Sequence, residues 1–286
     1  MESVAGFLLP YEFSPTVLAV TLGAAALFLR GLLIRRRTGE GTGFWRSASF
    51  LLGLGLTYAM LQTQIDYYAQ NMFWIHRAQH LVLHHVGPVL MVLATPHEIL
   101  GRGLPEGRLK QGLRRLWRHP AIRGPYRGIQ HPLVAPLLFV GLIFLWLYPP
   151  VHFDAMLSLP LYQAMNWSMV VEGLLFWWLA VDPRSPARGG VGFGTRIIML
   201  WAIMLPQIAL GAYISLSNEV LFDIYQVCGR AWPIAPLLDQ QIGGLLTWIP
   251  AAMMSVVVGL IVLRMWMREG HRPRGRATMA DPAGTR

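Results

Sequence analysis

Apolar residues run along this chain in blocks of about twenty, separated by connections that alternate between arginine-rich and mildly acidic. The blocks lie at roughly 16–34, 44–63, 76–100, 131–149, 158–181, 195–216 and 243–265. A helix rising about 1.5 Å per residue needs ~20 residues to cross ~30 Å of hydrocarbon, so each block approaches the length of a span. Internal Pro88, Pro136, Pro206, Gly173 and Gly211 are compatible with membrane helices, where neighbours satisfy freed backbone groups. The pattern predicts an all-α, polytopic membrane bundle of seven transmembrane helices over residues 1–266. A polar, Pro/Gly-containing tail over 267–286 is expected to be disordered.

Composition strengthens this picture. The chain is 54% hydrophobic and only 13% charged, against about a quarter charged in a soluble domain. Charge also predicts the orientation. Of the 24 basic residues, 22 fall on alternate connections and the tail, leaving only Arg77 and Arg230 on the other side with Glu2, Glu12, Asp66, Asp154, Glu219, Asp223 and Asp239. The positive-inside rule then puts the N-terminus outside and the C-terminus in the cytoplasm of a bacterial inner membrane. The net charge of +10 reports this topology and contact with anionic headgroups, and gives no argument for nucleic acid. The flank MESVAGFLLPYEFSP lacks a cationic start, so the first block is expected to be a retained span. The single cysteine, Cys228, excludes a disulfide within the chain and any paired-cysteine motif.

The longest basic connection contains LKQGLRRLWRH. It reads either as an amphipathic helix with Leu109, Leu113, Leu116 and Trp117 toward lipid, or as a solvated basic loop. Aromatic residues near the block ends (Trp45, Trp74, Tyr148, Trp177, Trp178, Trp232, Trp248 and Trp266) match an interfacial belt.

Candidate chemistry concentrates in WIHRAQHLVLHH, which holds four of nine histidines. His76, His80 and His84 recur every four residues and so stack on one helix face, with Met72 a turn earlier and His85 pointing elsewhere. An i, i+4 histidine pair can ligate a metal, and polar groups hydrogen-bonded to neighbouring helices explain the spacing equally well. Methionines at the outer block ends, with His152 and Cys228 on the same side, would suit Cu(I). Each methionine taken singly fits adaptable packing too. Glu172, in the middle of a block, predicts a bundle-facing acid that is protonated or paired. No phosphate-binding loop, nucleophile elbow or zincin motif occurs, so no enzymatic activity is expected.

HRAQHLVLHHVGPVLMVLATP, HPLVAPLLFVGLIFLWLYPPVHFDAMLSLPLYQAMNWSMVVEGLLFWW and DQQIGGLLTWIPAAMM together resemble, in order, segments of the CtaG family of cytochrome c oxidase assembly factors. The resemblance implies a membrane protein that helps mature a haem–copper oxidase, with copper as its cargo and oxidase subunits or periplasmic copper carriers as partners. His76 and His80 match family histidines, and Asp239, Gln240, Gly244 and Trp248 match the closing motif. Three positions depart from it. Tyr148, Gln163 and Trp167 stand where the family shows histidine, so a metal site here would draw on His84, His152, Met72 or Cys228. Haem is not expected, because His84 and His85 have no imidazole facing them at similar depth. A scaffold or accessory subunit without metal, and a quinone-binding module, remain as alternatives.

Overall fold

The structure is a computed structural model and describes residues 12–41 and 43–270. Among these residues it is helical throughout, without strands. The first helix, α1 (Pro15–Arg37), starts where the Ser14 hydroxyl accepts the Val17 amide and Pro15 supplies a pre-set φ, and it ends on three arginines. Next come α2 (Phe44–Gln62) and a short α3 (Gln64–Asn71), the latter capped by Thr63. The histidine-rich stretch forms α4 (Phe73–Leu81), a π-helical turn over Val82–Val86, and α5 (Gly87–Leu93).

At Thr95, in a left-handed conformation with φ 49°, the chain bends by 74° into α6 (Pro96–Gly103). Then α7 (Arg108–Arg118) and α8 (Pro120–Ile129) lie at one end of the bundle, and a 76° bend leads into α9 (Val134–Leu147). The remaining helices are α10 (Pro149–Leu157), α11 (Leu159–Ala180), α12 (Phe193–Leu216), the one-turn α13 (Ile224–Val227) and α14 (Pro236–Gly270). Thus α3, α10 and α13 share one end of the bundle, and α6–α8 form the opposite, arginine-rich end.

Three helices are long and apolar enough to cross a membrane: α1, α12 and α14. The number rises to five if each bent pair counts as one span. The other two blocks also form long helices, α2 and α11. They are less apolar because α2 carries Arg46, Ser47 and Ser49, and α11 carries Gln163, Asn166 and Glu172. Helix α14 begins at Pro236 and runs on to Gly270, past both edges of the block that predicted it and four residues into the segment read as tail. Residues 271–286 lie outside the described residues. LKQGLRRLWRH is helical, with Leu109, Leu113, Leu116 and Trp117 all exposed.

Backbones approach closely where small residues meet, as expected between helices that lack a hydrophobic drive in lipid. A Cβ at Gly103 would collide with the Leu27 carbonyl, so α6 lies directly on α1, and Arg30 Nη1 donates to the Gly103 carbonyl at 2.9 Å. Trp248 packs over Gly211, and Gly244 lies against the backbone of Ser215, joining α12 to α14. One tryptophan of the predicted belt is interior: Trp177 is fully buried, donating to the His84 carbonyl at 2.8 Å, whereas Trp248 is half-buried against Gly211. A donor aimed at the π turn's freed carbonyl explains why an indole is used there.

Candidate functional site

Helix α4 is held at its start by Asp239 of α14. The buried carboxylate accepts from the Phe73 and Trp74 amides at 3.1 and 2.8 Å and from Arg230 Nη1 at 2.5 Å. An anion at a helix N-terminus satisfies otherwise orphaned amides and meets the positive end of the dipole. Next to it, Gln240 accepts from the Leu221 amide and donates to the Glu219 carbonyl, tying the α12–α14 connection down. The closing motif around Asp239, Gln240 and Gly244 therefore positions the histidine helix.

Along α4 the His76 and His80 rings lie 4.3 Å apart between centroids, as the four-residue spacing predicts. His152, from α10, brings its ring to 5.1 Å from His76. All three are buried. The chemistry of their partners fixes two tautomers. A carbonyl only accepts, so His152 Nδ1–H donates to Trp146 O at 2.9 Å, and Nε2 accepts from the Tyr225 hydroxyl at 3.0 Å. Burial lowers the His152 pKa to about 3, against the Trp146 bond, so the ring is neutral. His80 Nε2–H donates to Asn166 Oδ1 at 3.1 Å, and its Nδ1 faces Arg77 Nη1 at 3.5 Å. His76 differs from both. Neither of its ring nitrogens has a hydrogen-bond partner, although the Ala69 carbonyl lies near the ring.

Deeper in the bundle the π turn changes the spacing. His84 and His85 are both buried there and reach different helices, as their adjacent positions predict. His84 Nε2 meets Glu172 Oε2 of α11 at 2.7 Å and stacks on Phe139 at 3.9 Å. His85 Nε2–H donates to Gln207 Oε1 at 3.1 Å, and Gln207 is itself oriented by donating to the Ile203 carbonyl. Glu172 thus faces the bundle interior and meets a polar partner there, one of the two states its position allows.

A cleft of about 450 Å³ opens at the α3/α10 end. Two carboxylates, Glu12 and Asp66, line it together with Gln70, Tyr162, Gln163, Asn166 and Trp167, and no cationic residue does. Asn166, at its floor, is the partner of His80. Asp66 accepts from Tyr162, Gln79 and Gln70 at 2.7, 2.8 and 3.1 Å. Burial nevertheless raises its pKa to about 6. Gln163 and Trp167, two of the positions lacking the expected histidines, line this same cleft.

The other candidates lie apart. Met72 is fully buried against Ala69 and Ile75, its carbonyl accepting the His76 amide. Cys228 is a free, exposed thiol after α13, and burial raises its pKa. Tyr148 is 60% exposed. Among the described residues, no three His, Cys, Asp or Glu side chains are arranged to hold a metal ion. The orphaned nitrogens of His76 beside a second imidazole still fit a cation of low coordination number. Arg77 limits which one. It is buried and bonded only to neutral groups, Thr247 and His80, so a monovalent ion is repelled half as strongly as a divalent one. Tyr162 and Tyr225 carry no sequence signal of their own. Only their inward burial reveals them.

The chain is 24% identical to an uncharacterized protein of Mycobacterium leprae over 94% of its own length and 41% of the relative's. It is 26% identical to uncharacterized proteins of Mycobacterium bovis and Mycobacterium tuberculosis, over 96% of this chain and 42% of theirs. The chain thus spans about two-fifths of the length of the curated relatives it matches. No solved structure matches. Residues 26–269 match the model of the cytochrome c oxidase caa3 assembly factors, Caa3_CtaG, and the chain belongs to that family.

Proposed function

We propose that this assembly factor binds Cu(I) as cargo at the His76–His80 pair and passes it toward a haem–copper oxidase. The observation that carries the reading is His76, a buried imidazole with both nitrogens unpartnered, next to His80 and His152. A buried polar group without partners is costly, and a bound cation would repay that cost. The acid-lined cleft gives a cation a way in, and Arg77 favours a monovalent one. Imidazole is a good ligand for copper.

In this reading α1, α2, α4–α5, α9, α11, α12 and α14 are seven spans of a bacterial inner membrane. The positive-inside rule puts α3, α10 and α13 on the periplasmic side, where periplasmic copper carriers and oxidase subunits would meet the cleft. His84 would serve as a support, its Nε2 being committed to Glu172. The test is copper retained by the purified protein under reducing conditions. A His76→Ala/His80→Ala variant that keeps its copper would sink the assignment. A metal-free scaffold role draws on the hydrogen bonds that already occupy His80 and His152. Co-purification with an oxidase and no copper in either partner would favour it.

A further inference from the structure

A larger cleft, of about 730 Å³, lies at the arginine-rich end between α7, α8, the end of α11 and the connection to α12. Arg123 and Arg127 stand one turn apart on α8 and line it. Among the described residues neither guanidinium has an ion pair or hydrogen bond, although the Arg123 amide donates to the His119 carbonyl. Arg184 lines it from the connection. Asp182 accepts from its Nε and Nη2 at 2.6–3.0 Å, which holds the guanidinium in place and leaves Nη1 over. Three arginines against one aspartate leave the lining with an excess of two positive charges. The wall behind them is firm, because buried Arg196 donates to the carbonyls of Asp182, Arg184 and Val191 at 2.5, 2.8 and 2.9 Å.

We infer that this cleft binds the phosphate headgroup of an anionic phospholipid. Guanidinium forks match phosphate oxygens in planar, paired hydrogen bonds, and two unpartnered ones next to a third give the oxyanion several donors. The volume lies within the range of small-ligand pockets and exceeds what a bare phosphate fills. Trp117 and Trp178 form apolar walls. Trp117 also belongs to the exposed apolar face of α7 with Leu113 and Leu116, so the cleft opens where that face meets lipid, and acyl chains can leave through it. The inference rests on the membrane reading of the bundle. It is independent of the copper reading, so failure of either leaves the other standing.

The test titrates the full-length, detergent-purified protein with phosphatidylglycerol and, separately, phosphatidylcholine, reading bound lipid by native mass spectrometry. Phosphatidylglycerol is expected to be retained preferentially, and Arg123→Gln/Arg127→Gln is expected to weaken that retention about tenfold or more. Arg114→Gln/Arg118→Gln removes the same charge from α7 outside the cleft and is expected to leave it unchanged. Arg127→Gln alone, expected to have about half the effect on a logarithmic scale, carries the test if the double variant does not fold. Equal retention of both lipids, or equal loss in both double variants, overturns the site. Displacement of the lipid by inorganic phosphate assigns the cleft to free phosphate and overturns the lipid.

Discussion

One helical stretch carries four buried histidines whose ring nitrogens the protein partners unequally. Around the π turn each imidazole has its own acceptor on another helix, Glu172 for His84 and Gln207 for His85. On the regular turn above, His76 has none, although it is equally buried. Deep polar groups in a membrane bundle need partners, so the lower pair reads as structure. In the upper pair His76 holds spare bonding capacity, and its neighbour His80 is bonded to Asn166, which lines the acid-lined cleft. Burial alone does not separate structural from functional histidines here. The count of ring nitrogens singles out His76 alone: both of its nitrogens are unpartnered, His84 and His85 each keep one unpartnered Nδ1, and both nitrogens of His80 are engaged.

Breaking the lower pair should have the largest effect on stability. Glu172→Ala removes the 2.7 Å contact and leaves His84 Nε2 buried without a partner. The expected cost is about 1–3 kcal/mol, read as a lowered unfolding midpoint in detergent, while copper retention per folded molecule stays at the wild-type level. Glu172→Gln keeps a hydrogen-bonding group and should recover most of the loss. Copper disappearing from folded Glu172→Ala protein would erase the contrast between the pairs.

The upper pair should respond in reverse. His76→Leu removes two unpartnered buried nitrogens and adds apolar volume, so stability should hold or rise by up to about 1 kcal/mol. Copper should be lost. A destabilisation as large as that of Glu172→Ala would show that His76 is a structural histidine after all.

How much of this contrast the sequence reveals depends on the kind of interaction. Helix blocks, their order and the close His76–His80 approach follow from periodicity, because apolar length and four-residue spacing are local properties. Glu172 is legible as a bundle-facing acid, since a carboxyl in the middle of an apolar block must be protonated or paired. The partner itself is not legible, because His84 lies 88 residues away. Nor is the π turn, which regular spacing conceals. Cys228 and Met72 look like ligands by residue type, yet lie on the surface and in a separate apolar cluster. Trp177 looks interfacial because block edges read from hydropathy say nothing of which face is buried.

A milder way to sharpen the comparison is pH, which acts on the cleft and spares the lower pair. The Asp66 carboxyl titrates near 6, raised by burial against the bonds from Tyr162, Gln79 and Gln70. Above that pH the group is ionised and draws cations into the cleft. As pH falls through about 6 it becomes neutral and the attraction weakens. Copper uptake by the purified protein is expected to slow severalfold across that interval. The unfolding midpoint is expected to rise as pH falls below about 6, because a carboxyl with a raised folded-state pKa favours the fold when protonated. Asp66→Asn should give a lower rate that no longer changes there. A step that persists in Asp66→Asn would move the titration to another group.

The smallest effect expected is at Cys228, which tests how narrowly the site is confined to the helix. The thiol is exposed, sits after a single turn of helix, and has a pKa raised by burial, so little of it is thiolate at neutral pH. Thiolate is the form that binds copper strongly. Cys228→Ser should therefore leave copper retention unchanged and stability within about 0.5 kcal/mol. A clear fall in copper would mean that the connection before α14 folds over the cleft in the loaded protein and lends a ligand. His76 would then be one half of a site shared between helix and loop, and its spare nitrogens would no longer be enough to explain where the metal sits.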